Sequence, residues 1–222
     1  ISDEAASHAD FLRAAILQSA FLQIAQDRSL VAIHTACLWR DGRTILVRGL
    51  SGAGKSTLCY AALRRGWSLV AEDVVFVRTR PGADLTRLRA EDIEAHGIPY
   101  ILHLLTDARL LFPELVDEPS FERPDGDIKL GVDVVRRFPG QTRAVAEVGP
   151  LLFVTRGVEA VPKLRVLETS QALRLLRETV ILDEEAVAER TGLWHAFLEH
   201  PVYLLETGAD PDASAALLDG VL

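Results

Sequence analysis

Cysteine is scarce in these 222 residues, with only Cys37 and Cys59, and methionine is absent. Neither cysteine belongs to a CxxC pair or a Cys/His cluster. That excludes a disulfide framework and a structural zinc site, and it fits a reducing, cytoplasmic setting. No apolar run approaches the ~18 residues of a membrane span, and the first residues carry no basic flank or apolar stretch of a leader. No membrane partner is expected. Positive charge is outnumbered, since 24 Lys and Arg against 32 Asp and Glu leave a net charge of −8. A general nucleic-acid-binding surface is not expected on such a chain.

What is present is a globular composition, 49% hydrophobic and 25% charged, enough apolar material for one α/β domain. Apolar residues at helical spacing, from Phe11 to Ile24, predict a helix over residues 9–27. Residues 30–39 and 44–47 read as strands. Asp41-Gly42 between them predicts a type I′ hairpin, because both central positions need positive φ. A helix over 55–65 should stop at Gly66, with strands over 67–71 and 74–78 after it. Further on, the pattern predicts strands at 151–155, 164–167 and 202–205. It also predicts helices at 170–179, with Ser170 as N-cap, at 183–200 and at 211–218. Residues 83–149 mix Pro, Asp and Gly with short apolar pieces and read as variable loops, notably at 113–127 and 138–140. The expected organisation is a single domain over 1–222. It comprises an N-terminal helix (1–28), a nucleotide-binding core (29–80), a loop and acceptor region (83–149) and an α/β C-terminal part (150–222).

Gly49-Leu50-Ser51-Gly52-Ala53-Gly54-Lys55-Ser56, followed by Thr57, matches G-x-x-x-x-G-K-[ST] in full. It sits between a predicted strand and a predicted helix, the context the motif requires. Glycines let the backbone wrap phosphates, and the helix N-terminus adds partial positive charge. Lys55 should reach the β- and γ-phosphates of a nucleoside triphosphate, and the Ser56 hydroxyl should ligate Mg²⁺. No Asn-Lys-x-Asp guanine reader occurs, which favours ATP. A loop that binds without chemistry remains the blander reading. Glu72 and Asp73 end an apolar strand soon after the helix and are the candidate acidic partners, for the metal's shell or for a nucleophile. Neighbours on a strand face opposite ways, so only one of them need face the phosphates unless the strand bends. His34, amid Val31, Ile33 and Ala36, reads from its surroundings as a core or edge residue more readily than a catalytic one. Trp39, Trp67 and Trp194 read as packing residues, and Cys59 reads the same way. His195 and His200 lack metal-ligand spacing, and the acidic stretch 107–127 reads as solvated loop.

From His34 to Val77 the residues resemble the catalytic domain of the HPr kinase/phosphorylase family. That family has a histidine on a strand, a Gly-x-Ser-Gly-x-Gly-Lys-Ser loop, an Arg-Gly turn and a Leu-(Val/Ile)-Ala-Asp-Asp-x-Val strand end. Here these stand as His34, Gly49–Ser56, Arg65-Gly66-Trp67 and Leu69-Val70-Ala71-Glu72-Asp73-Val74-Val75. Spacings of 21 residues from His34 to Lys55 and 18 from Lys55 to Asp73 also agree. Glu72 stands where the family usually has Asp, and the family's loop glutamate has no counterpart motif. The resemblance implies an α/β fold of the type shared with phosphoenolpyruvate carboxykinase, a mixed sheet with flanking helices around a P-loop kinase core. It implies ATP and Mg²⁺, Asp73 as general base, His34 as its support and a late catalytic arginine among Arg136, Arg137 and Arg143. It implies a hydroxyl acceptor, on a protein, a peptide or a small molecule. The family's ring assemblies make a homo-oligomer a further partner to consider. Two other functions remain open: removal of phosphate from a phosphoserine by the reverse route, and ATP sensing without turnover.

Overall fold

The computed structural model describes residues 30–84, 88–123, 126–179 and 192–221. The helix expected over residues 9–27 lies outside them, as does the first half of the one expected over 183–200. The run 30–39 forms two strands, β1 (Leu30–His34) and β2 (Ala36–Arg40), not one. They part at Thr35, whose buried hydroxyl donates to the Val47 carbonyl at 2.9 Å, where the chain passes from one sheet to another. Asp41 and Gly42 take φ of 52° and 82°, and they close β2 onto β3 (Arg43–Arg48) with Arg40 opposite Arg43. This is the hairpin the Asp-Gly pair predicts.

After the glycine-rich loop comes helix α1 (Lys55–Arg64), ended by Gly66 with φ 86°. Strand β4 (Ser68–Ala71) pairs with β2, whereas β5 (Val74–Thr79) pairs with β1 in the other sheet. The chain therefore bends at Glu72-Asp73, and the alternation expected of a straight strand does not govern these two side chains.

Residues 83–149, read as variable loops, contain β6 (Ile93–His96), β7 (Ile101–Leu105), β8 (Ser120–Glu122), β9 (Ile128–Asp133) and β10 (Val145–Glu147). Two single-turn helices join them, α2 (Ala108–Leu111) and α3 (Val134–Arg137). Later elements are β11 (Leu151–Arg156), β12 (Lys163–Val166), α4 (Thr169–Glu178), α5 (Leu193–Phe197), β13 (Val202–Thr207) and α6 (Pro211–Ala216). Helix α4 starts one residue before Ser170. Its N-cap is Glu168, and no side chain caps it.

The strands form a mixed six-stranded sheet, β12-β13-β11-β3-β2-β4, and sheets of order β1-β5-β6-β10 and β7-β9-β8. β3, β11 and β13 run parallel at the centre of the first. Both faces of these strands are covered, so they read as continuous apolar runs. Their side chains alternate between two cores. Ile45, Val47, Leu152 and Val154 meet α1 and the β7-β9 face on one side. Leu46, Leu151 and Phe153 meet the four-stranded sheet, α4 and α5 on the other. Tyr60 of α1 packs against Phe112 and Phe138, with ring centroids 4.6 and 5.5 Å away, and so fastens the middle segment to the helix. Among the described residues, no helix is long and apolar enough to cross a membrane.

Candidate functional site

The loop after β3 follows from its glycines. Gly52 and Gly54 have φ of 76° and 99°, values that L side chains with a Cβ adopt only with strain. A Cβ on Gly49 would lie 2.6 Å from the Val154 carbonyl oxygen of the neighbouring parallel strand. The loop thus turns tightly and delivers its last glycine as the N-cap of α1. No side chain caps that end, and no carboxylate occupies its first turn. The unpaired amides and the positive end of the helix face the loop's concavity, an arrangement suited to an anion.

Lys55 opens α1, and its Nζ donates to the Gly49 carbonyl at 2.8 Å and approaches that of Leu50 at 3.5 Å. Burial lowers its pKa, with the Asp73 charge working in the opposite direction. Ser56, Leu50, Ser51, Ala53 and Thr57 belong to the same loop and first turn. Leu50 stands out into solvent, at 62% exposure.

The bend at Glu72-Asp73 brings both carboxylates toward α1. Glu72 Oε1 accepts from the Ser56 hydroxyl at 3.4 Å. Asp73 Oδ1 pairs with His34 Nε2 at 2.7 Å. The register explains that contact, because His34 lies opposite Val74 in the β1–β5 ladder, one residue from Asp73. Burial pushes the Asp73 carboxyl up. The His34 hydrogen bond, together with the charges of His34, Lys55 and Lys129, outweighs burial and holds the pKa below the ordinary carboxylate value. The side chain is nevertheless 56% exposed, at the open side of the site.

Three residues not singled out in the sequence join this group. His103 on β7 places Nδ1 2.6 Å from Glu72 Oε2. Lys129 on β9 acts electrostatically on both Lys55 and Asp73. Arg156, at the end of β11, donates from Nε to the Gly52 carbonyl at 2.8 Å. The arginines expected from the resemblance are engaged differently. Arg136 and Arg137 bind Glu118 at 3.4 and 2.6 Å, and Arg143 lies 4.3 Å over the Trp39 ring. The signal for His103 was faint: burial alternates along β7, with Leu102 and Leu104 inside and His103 on the other face, but Ile101 and Leu105 share that face and hide the period in the sequence.

Ser56 Oγ and Glu72 Oε1 are hard oxygen donors, close enough to neighbour one another around a small divalent cation. Among the described residues no group of three or more His, Cys, Asp or Glu could hold a metal unaided. The donor set therefore fits an ion that also takes ligands from substrate phosphates and water.

A stretch of 48 residues is 46% identical to a protein of Oceanobacillus iheyensis named HPr kinase/phosphorylase 2. It spans 22% of this chain and 16% of that relative's length. The chain thus resembles the HPr kinase/phosphorylase family in a curated sequence as well as in its motifs. No protein-family model matches the chain. Among solved structures, the Hpr(Ser) kinase/phosphatase from Coxiella burnetii aligns at 15% identity and a TM-score of 0.41, over 85% of this chain and 94% of that one.

Proposed function

We propose that this chain transfers the γ-phosphoryl group of ATP to a hydroxyl acceptor on a protein, a peptide or a small molecule. The observation that carries the reading is the Asp73 carboxylate, held by His34 at 2.7 Å beside the Lys55 loop. In this reading the loop amides and Lys55 hold the phosphates, and Lys55 exchanges its loop carbonyls for phosphate oxygens. Ser56 and Glu72 hold Mg²⁺, which when bound neutralises charge on the β- and γ-phosphates. Asp73 Oδ1 is committed to His34, and Oδ2 takes the proton of the acceptor hydroxyl. The acceptor oxygen bonds to the γ-phosphorus as the bond to the ADP oxygen breaks, and ADP departs with that electron pair. A weakly basic carboxylate suffices, because charge build-up on the attacking oxygen is small in a loose transition state. His34 keeps Asp73 ionised and aimed. In this reading Lys129 and Arg156 supply further positive charge beside Asp73 and the loop.

Lys55→Ala is expected to weaken ATP binding while leaving the fold intact, as read by calorimetry and thermal unfolding. Undiminished ATP affinity in that variant would remove the nucleotide site from the account. His34→Ala tests the support role. Protonating Asp73 stops transfer, so activity falls as pH drops through its pKa. Without His34, burial is opposed by Lys55 and Lys129 alone and that pKa rises. The acid limb of the pH–rate profile is therefore expected at higher pH in His34→Ala, with a smaller move in His34→Gln, which keeps a donor. An acid limb that stays in place would contradict it.

A further inference from the structure

We infer that His103 is a positioning residue for Glu72, fixing the carboxylate that works with Ser56. The inference rests on the proposed reading of Ser56 and Glu72 as ion-holding groups. Glu72 lies in a bend between two sheets, where neither ladder fixes its backbone, and its side chain turns about three torsions. One oxygen faces the Ser56 hydroxyl at 3.4 Å. The other meets His103 Nδ1 at 2.6 Å. A carboxylate only accepts, so Nδ1 carries the hydrogen, and the short distance is that of a strong, charge-assisted bond.

The ring that holds Glu72 is itself held. His103 lies opposite Gly131 in the β7–β9 ladder. Phe121 of β8 packs edge-on to the imidazole, with centroids 5.4 Å apart. The same ring lies over Gly131, at van der Waals distance from where a Cβ would stand. The three-stranded sheet, which has no motif of its own, reaches across and orients a carboxylate of the nucleotide-binding segment. Partners of this kind commonly set ligand orientation, and their loss costs roughly 10–100-fold in metal affinity.

The test measures Mn²⁺ affinity, by electron paramagnetic resonance, in the ADP complex of the whole chain. It compares wild type, Glu72→Gln, His103→Ala and His103→Asn, whose amide nitrogen stands where Nδ1 stood. Metal-free ADP affinity and the thermal midpoint are recorded alongside. His103→Ala is expected to weaken Mn²⁺ binding about 10–100-fold with metal-free ADP affinity unchanged, and His103→Asn to recover most of the loss. A merely structural role would lower the midpoint or ADP affinity without this selective effect, and recovery by Asn would not follow. Wild-type Mn²⁺ affinity in His103→Ala, with Glu72→Gln impaired, would overturn the role of His103 alone. Unchanged Mn²⁺ affinity in Glu72→Gln would overturn the reading of Glu72 and this inference with it.

Discussion

Asp73→Asn is expected to abolish phosphoryl transfer while ATP binds as before. The amide keeps the size of the carboxylate and can still lie against His34, but it cannot take a proton from an acceptor hydroxyl. Removing a positioned general base typically costs ~10²–10⁴-fold in rate. In the proposed reading ATP affinity depends on the loop amides and Lys55, not on Asp73. It should even gain slightly, since a negative charge near the γ-phosphate is lost. Single-turnover transfer and equilibrium binding, measured on the same preparation, separate the two effects. Transfer at the wild-type rate by Asp73→Asn would sink the assignment of the base.

The largest effect on stability is expected at Glu118. Its side chain is 2% exposed and accepts from Arg137 Nη2 at 2.6 Å and from Nε at 3.1 Å. Arg109 holds the backbone carbonyl of the same residue at 2.7 Å. Removing one partner of a buried, hydrogen-bonded ion pair leaves the other charge uncompensated, at a cost of ~3–5 kcal/mol. Glu118→Ala is therefore expected to lower the urea midpoint by that equivalent, with the slope unchanged. Arg136, 70% exposed and 3.4 Å from the carboxylate, contributes little by comparison. A loss below ~1 kcal/mol in Glu118→Ala would show that the pair behaves as a surface contact. The segment so anchored leads into β8 and β9, the strands that brace His103, so a damaged anchor should also loosen Glu72.

Motif and turn chemistry carried much of this architecture. The Asp41-Gly42 hairpin, the loop from Gly49, the helix from Lys55 and the buried parallel strand from Leu151 all have local causes, namely positive φ, capping and apolar runs. Ser56, Glu72 and Asp73 were legible through their places around the loop, and His34 only through the family resemblance; the fold brings the four together. The crossings between sheets were not legible. Nothing local distinguishes a strand that continues from one that changes partners, as at Thr35 and at Glu72-Asp73. Short strands such as β8 carry too few residues to show a period. Glu118 lay in an acidic stretch read as solvated, because its arginine partners follow some twenty residues later and only tertiary structure brings them in. His103 was overlooked because its strand ends in two adjacent leucines, which blur the alternation that would have set it apart.

The most direct test is transfer of the γ-phosphate from labelled ATP with Mg²⁺. The acceptor pool is a fractionated lysate and small-metabolite extract of the source organism, and Asp73→Asn serves as control. The expected result is a labelled species formed by the wild-type chain and not by the variant. A wild-type chain that binds ATP yet labels nothing the variant does not would contradict the kinase reading and point to a nucleotide sensor.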